Sequence, residues 1–578
     1  MYDLVVRSGT VIDGTGAAGV VCDIAIAQGR IVRLGRVAER GATEIDASGL
    51  AVGPGFIDVH THYDAQVFWD PKLTPSSNHG VTTVIAGNCG FSIAPLSGRP
   101  DDATYLQEML SRVEGMPLDS LRDGVPWNWT SFGEYLGRID GTLAINAGFM
   151  VGHSALRRTV MGARAVGGDP TPEEMEAMKV LLATSIAEGG LGFSTTVSPT
   201  HNDGNGEPVP SRHAGTDELV ALAKVAGEAE GTFLEMVADV GVEFSHETLE
   251  RMASMSRAAG RALNWNLLSP DSRGKALFEA QLAASDYAAQ RGGKVIALAA
   301  PKAISIVVSF AAGMVLDAFP GWREAMTLPH PQRKAMLADP AVRRKLNDTM
   351  HSPSAGAYGG LSDWSQWRIV ETALPENAAL IGMLIGTLAS RLNKAPFDTM
   401  IDLAIAEDLQ TRFMPGPTGA DEDSWRMRAK AWRDPRALIG GSDAGAHLDM
   451  IDTFAFSSHV LAEGVRERRI MPLEEAVYRM TGLPAAVFGI KDRGTLREGN
   501  FADIVIFDPA TIGAGPIYSR HDLPGGHARL YSDAIGVRDV IVNGRPIIRD
   551  GEFTGQLPGR VLRSGKDTVT VPIDRPEA

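Results

Sequence analysis

GFIDVHTHYDAQ, residues 55–66, sets a short apolar run, Phe56, Ile57 and Val59, directly before His60, Thr61 and His62. On a β-strand alternate side chains share a face, so His60 and His62 would stand about 6 to 7 Å apart on one side of it. Two imidazoles fixed that way by the backbone can converge on one cation, and imidazole nitrogen suits borderline metals such as zinc. The plain alternative is a pair of histidines packed under a turn or left in a loop, and a lone H-x-H does not separate the two.

Outward from this stretch, similar apolar runs recur: VTTVIAGN, AINAGFMVGH, LGFSTT, GTFLEMVAD, ALNWNLL, KVIALAA and ALIGGSD. Helical patterns separate several of them, for example TPEEMEAMKVLLATSIAEG and TDELVALAKVAGEAEG, each opening on a Thr read as an N-cap. Alternating strands and helices imply parallel pairing. With GFIDVHTH the candidates number eight, which suits a (β/α)8 barrel, although pattern alone also allows an open doubly wound sheet. Both ends of the chain, residues 1–53 and 491–578, show short β-rich runs broken by Gly, predicting a small antiparallel sheet. Between them, residues 54–490 carry the α/β repeat, interrupted by a polar loop, His201 to Gly215, and a long helical insertion over about 304–433. Such insertions either shape substrate access or serve packing and subunit contacts, so a homo-oligomer stays open.

Composition narrows the class. The 578 residues carry a net charge of −15, from 70 acidic and 55 basic side chains, which disfavours a nucleic-acid partner. MYDLVVRSGTVIDG lacks the pattern of a secretory signal, and no run of about 18 apolar residues predicts a membrane span, so a cytoplasmic protein is expected. Cys22 and Cys89 are too few for a disulfide framework. GTGAAG, residues 14–19, matches a dinucleotide fingerprint, but β-rich CDIAIAQG follows where a helix is needed, and neither a P-loop nor a G-x-S-x-G elbow is present.

GFIDVHTH, GVTTVIAGNCGFSIAP (80–95), VGHSALRRTVMG (151–162), GGSDAGAH (440–447) and the endings FADIVIFDP and VIVNGRPI together resemble the amidohydrolase superfamily, and within it the D-aminoacylase (N-acyl-D-amino-acid deacylase) group. The resemblance covers nearly the whole chain. It implies an α/β fold with a (β/α)8 TIM-type barrel and a small β-sandwich built from both termini. It also implies zinc, one ion firmly bound with room for a second, and a small-molecule substrate. His60, His62, Cys89 and Asp443 are the implied metal ligands, and Asp443 doubles as general base. A carboxylate there can take a proton from attacking water and return it to a leaving nitrogen. Read without the family, Asp443 is an N-cap on the next helix and Cys89 a small buried hydrophobe.

The chain departs from the group at two motifs. Where relatives carry the leading histidines of Thr-His-Xaa-Arg and Ser-His-His-Lys segments, FLEMVAD and LNWNLLS place Glu235 and Asn266, with Asn264 competing if the register slips. A carboxylate can bind zinc, so Glu235 could bridge to a second metal; an amide is a poor zinc ligand. Asn266 is therefore assigned to substrate binding with His153 and Arg157 of VGHSALRR and His213 of the long loop. The ordinary fates of these groups are an imidazole bonded inside the barrel wall, a salt-bridged arginine and a solvated loop histidine. His447 is read as supporting the mouth and His246 as a helix-start residue. With the group's lysine absent, a substrate less charged than an N-acyl-D-amino acid is expected unless Arg157, Arg212 or Arg273 replaces it.

The leading function is thus a metal-dependent hydrolase of amide-type C–N bonds in N-acyl amines, N-acyl amino acids or cyclic amides. Hydrolysis of an ester or lactone on the same site is the second enzyme reading. A non-catalytic barrel serving as a binding or scaffold protein is the alternative from another class.

Overall fold

A computed structural model describes residues 1–238, 243–311, 316–416 and 418–573; the last residue of the FLEMVAD stretch, Asp239, lies outside the described residues. Each of the eight apolar runs contains a strand: β1 (Phe56–Asp58), β2 (Val81–Ala86), β3 (Asn146–Phe149, continuing past Met150 as Val151–Gly152), β4 (Gly192–Thr196), β5 (Phe233–Val237), β6 (Leu263–Leu268), β7 (Val295–Ala299) and β8 (Ala437–Ile439). Strands β2, β4, β5 and β7 are buried along their whole length. Strands covered on both faces need no polar alternation, and β7, VIALA, reads as an unbroken apolar run, whereas β2, β4 and β5 bury threonine, serine and Glu235 as well.

All pairings among these strands are parallel. The first half of β3 pairs with β2 and β2 with β1, while the second half of β3 pairs with β4, and β4 through β8 follow in chain order. Past its last strand residue, β1 meets the continuation of β8: Thr61 and Ala444 form a parallel bridge, and His62 N–H donates to the Ala444 carbonyl at 2.8 Å. The helix Pro172–Ala187 begins as expected, with Thr171 accepting from Glu174 N in a capping box. The helix Thr216–Glu228 does not. Gly215 is its N-cap and Thr216 its first residue, the Thr216 hydroxyl accepting instead from Arg251 Nε at 3.2 Å.

The chain ends build one sheet of nine strands, five from residues 2–54 and four from 504–553. Ala51–Pro54 runs antiparallel to Ile504–Phe507 and joins the two contributions. The purely antiparallel sheet expected from the sequence is corrected here: Tyr2–Val11 pairs antiparallel with Val20–Ala27 but parallel with Gly41–Asp46 and Ala51–Pro54. All nine strands are hydrogen-bonded into a single sheet rather than the two separate sheets of a simple sandwich. A buried polar knot couples it to β3. Asn146 donates to Asp503 Oδ2 (3.1 Å) and accepts from Asn543 (2.8 Å), while Arg493 pairs with the same Asp503. Further along, Val561–Leu562 adds a short parallel strand directly to β3.

The insertion is less helical and shorter than its sequence suggests. Besides helices it holds a three-stranded antiparallel sheet with Arg412–Met414 between Val308–Ser309 and Arg368–Glu371. Its own core runs from Val308 to Phe413, with Trp364 packed 5.0 Å, ring to ring, from both Trp367 and Phe397. The helix Glu422–Arg433, read as insertion, instead packs Ala431 and Trp432 into the main core beneath β7 and β8. Among the described residues no helix is long and apolar enough to cross a membrane.

Candidate metal centre

The C-terminal ends of β1, β2 and β8 deliver the side chains that converge. His60 and His62 follow β1, and their rings lie 5.4 Å apart, both buried. Cys89 follows β2 and puts Sγ 3.4 Å from His60 Nε2 and 3.6 Å from His62 Nε2. These three donor atoms all lie within 4.8 Å of one another. Asp443, beyond β8, sets Oδ1 3.2 Å from His60 Nε2 and 3.6 Å from His62 Nε2, with 26% of its side chain exposed, so it faces the opening.

The backbone is forced to make this approach. Cys89 (φ 57°) and Asp443 (φ 50°) occupy the left-handed region, which costs a non-glycine residue roughly 1 kcal/mol. Gly87 lets the β2 turn pass β3, since a Cβ there would lie 2.4 Å from the Met150 carbonyl oxygen. Asp58 stitches β1 to β8, its Oδ2 accepting from Ser442 Oγ at 2.5 Å, and Asp64 Oδ2 accepts from Gly87 N–H at 2.9 Å.

Carboxylates stand behind both histidines. Glu114 Oε1 is 3.4 Å from His62 Nδ1, and Glu235 Oε1 is 3.8 Å from His60 Nδ1. With their Nδ1 sides facing acid, both rings turn Nε2 toward Cys89 and Asp443. Burial alone would lower the pKa of His62, but the charges of Glu114 and Asp443 outweigh it and lift it to about 9. Burial, then Glu235, Glu114 and Asp443, pushes the Cys89 thiol up, while contacts with His60 and His62 overcome burial and hold Asp443 well below the carboxylate range. A site that raises its base pKa and resists thiolate formation is one that lacks positive charge. Two Nε2 atoms, one sulfur and one carboxylate oxygen, sealed with unpartnered acid oxygens on Glu114 and Glu235, suit a divalent cation such as zinc.

Glu235, expected as a bridge to a second metal, stands outside the three clustered donor atoms. It accepts from Cys89 N–H at 2.8 Å through Oε2, and its other oxygen, without a hydrogen-bond partner, lies 3.8 Å from His60 Nδ1. Asn266 does reach the group, its Nδ2 3.3 Å from His60 Nε2, whereas Asn264 donates to the Ile296 carbonyl inside the wall. His153 and Arg157 are corrected from substrate contacts to wall residues. Both are fully buried, His153 lies 2.9 Å from Thr195 Oγ1 and 2.8 Å from Glu218, and Arg157 pairs with the same Glu218. His213 is half-buried and turns Nε2 to the Pro208 carbonyl (3.2 Å), folding its own loop rather than reaching the centre. Arg212 holds the His201 carbonyl and Asn202, and Arg273 is spent on Asp271.

Sequence reading missed Glu114. Glu114 sits at the end of the helix Pro100–Val113, with no motif to mark it, and its carbonyl also accepts from His447 N–H at 2.5 Å. One residue on, Gly115 lines a cavity of about 720 Å³ with Arg112, Asp449, His521 and the insertion residues Glu371 and Arg412, which brings the insertion beside the centre.

The amidohydrolase family description matches residues 43–324 and 373–548. The chain is 29% identical to a D-aminoacylase of Alcaligenes xylosoxydans xylosoxydans over 97% of each chain. It superimposes with a TM-score of 0.63, at 27% identity, on a D-aminoacylase described as having a binuclear metal centre, with one-metal activation and second-metal attenuation; the match covers 97% of this chain and all of that one. An N-acyl-D-glutamate deacylase from Bordetella bronchiseptica, complexed with zinc and a phosphonate mimic of the tetrahedral intermediate, gives a TM-score of 0.63 at 26% identity, over 97% of this chain and 100% of that one.

Proposed function

Because the chain belongs to the amidohydrolase family, we propose that it is a zinc-dependent hydrolase of amide-type C–N bonds in small molecules, working from the centre made by His60, His62, Cys89 and Asp443. The observation that carries this reading is the convergence of His60 Nε2, His62 Nε2 and Cys89 Sγ within 4.8 Å, with Asp443 Oδ1 3.2 Å from His60 Nε2. We also infer that β1 to β8 close into a (β/α)8 barrel over residues 54–490, with the terminal sheet as a second unit. Supporting closure are the unbroken parallel order from β4 to β8, the joint at Met150 and the Thr61–Ala444 bridge.

His60, His62 and Cys89 would hold one zinc ion, with Asp443 beside it. When bound, zinc supplies Lewis acidity that favours deprotonation of water at neutral pH and polarises a carbonyl. The chain's residues do the rest. Asp443, ionised and open to the mouth, takes a proton as water's oxygen bonds to the carbonyl carbon. It returns that proton to the nitrogen as the C–N bond breaks, leaving a carboxylic acid and an amine. Glu114 and Glu235 stand on the Nδ1 sides of the two rings without hydrogen-bonding to them, where outer carboxylates are found in histidine metal sites. Arg157, Arg212 and Arg273 are all engaged elsewhere, and Arg112 and Arg412 of the neighbouring cavity pair with Asp317 and Glu371, so the reading favours neutral acyl amides over N-acyl-D-amino acids.

Metal content measured alongside turnover tests this. About one equivalent of zinc, with higher kcat/KM on N-acetyl alkyl or aryl amines than on N-acetyl-D-amino acids, is expected. Metal-free protein inert on the whole panel would sink the reading.

A further inference from the structure

His201 opens the long loop after β4 and was read from sequence only as part of that loop. The structure folds the loop so that its ring packs against Phe91, centroids 5.0 Å apart, and Phe91 lies two residues beyond Cys89. The backbone there is clamped, the His201 carbonyl accepting from Arg212 Nη1 at 2.9 Å and from Val209 N–H at 3.3 Å. Burial, the largest cause, pushes the pKa of the ring down to about 3. The ring is therefore a neutral imidazole held against the turn that carries Cys89.

Its tautomer follows from hydrogen-bond accounting. Thr196, at the end of β4, is fully buried, and its Oγ1 accepts from Ser198 N–H at 3.1 Å. The same hydroxyl lies 2.8 Å from His201 Nδ1. Were Nδ1 the donor, Thr196 Oγ1 would accept twice and its own proton would be buried with no acceptor, which costs about 1 to 3 kcal/mol. The hydroxyl therefore donates to Nδ1, and the imidazole proton resides on Nε2. That nitrogen has no hydrogen-bond partner among the described residues and is not sealed from solvent, unlike His153, whose two nitrogens are both engaged.

We propose that His201 Nε2–H is a catalytic hydrogen-bond donor to the carbonyl oxygen of the scissile bond, with Thr196 as the positioning residue that fixes its tautomer. This rests on the amide-hydrolase reading. As water's oxygen bonds to the carbonyl carbon, the C=O π pair moves onto the oxygen. His201 donates to that oxyanion without giving up its proton, and the charge returns when the C–N bond breaks.

The test uses the full-length zinc-loaded protein with two probes, methylphosphonate as a small tetrahedral oxyanion and the acyl-amide panel. His201→Ala is expected to weaken methylphosphonate binding at least tenfold and to lower kcat about 10²-fold, with zinc content unchanged. His201→Gln, which keeps an N–H near the Nε2 position, should restore most of the binding, and Thr196→Val should fall between. If His201→Ala binds methylphosphonate as tightly as the parent protein, the assignment is overturned even where amides are hydrolysed. If amides are not hydrolysed but the three variants still rank in this order on methylphosphonate, His201 stands and only the hydrolase reading fails.

Discussion

On the β1, β2 and β8 side of the centre, two imidazole nitrogens, a sulfur and a carboxylate oxygen face one another. On the β5 and β6 side, Glu235 turns its carboxylate to the back of His60, and Asn266 presents an amide nitrogen, which has no lone pair to give a metal. The two sides of one rim thus differ: one brings the donor atoms together, the other sets an acid and an amide beside them. The proposed zinc site draws its donors from one side of the rim, and the other side bears on whether a second cation binds.

The largest effect that would break this division is loss of the base. Asp443→Asn keeps the shape and an oxygen but cannot accept the proton, so turnover should fall by about 10² to 10⁴ while zinc stays bound. Near-normal kcat with normal zinc would put the base on the other side of the rim, at Glu235. Next is Cys89→Ser, which removes the thiolate from the donor side. Zinc affinity, read by chelator competition, should drop by more than the roughly 10- to 100-fold typical of changes to groups behind a ligand. Glu114→Gln and Glu235→Gln address those groups themselves, and each should cost about 10- to 100-fold in zinc affinity or activity; a loss as large as that of Cys89→Ser would make Glu235 a ligand after all. Smallest is Asn266→Ala, expected to change zinc affinity by no more than about threefold because an amide contributes little to zinc binding. A tenfold loss there would show that the β6 side donates too.

The donor side was legible in the sequence because its residues follow directly on apolar strands within short motifs: GFIDVHTH, GNCG and GGSD carry their own turn chemistry. The eight strands were legible as largely apolar runs, since doubly covered strands need no polar alternation. What sequence could not show was pairing across long separations. His153 looked available because its partner Glu218 lies 65 positions away, on a helix whose orientation no motif encodes. His201 looked like an ordinary loop residue because its value depends on a hydroxyl on β4 and a phenyl ring after β2. Glu114 has no motif at all; a helix end simply arrives behind His62. The insertion was misjudged because β7 and β8 lie far apart in sequence, and the crossover helix that precedes β8 is contiguous with the inserted segment.

The strand Val561–Leu562 beside β3 has a bearing on how the molecule is made. The Asn146 side chain accepts from Arg560 N–H, 414 positions later, and Gly231 exchanges hydrogen bonds with Thr568 and Thr570. During synthesis β1, β2 and β3 leave the ribosome early, yet the edge of β3 stays unpaired until residues beyond 560 have been translated. Until then the chain lacks the segment that covers this strand edge, and uncovered strand edges are of the kind that recruits other chains. Completion of this sheet edge therefore waits on the last strand in chain order among the described residues.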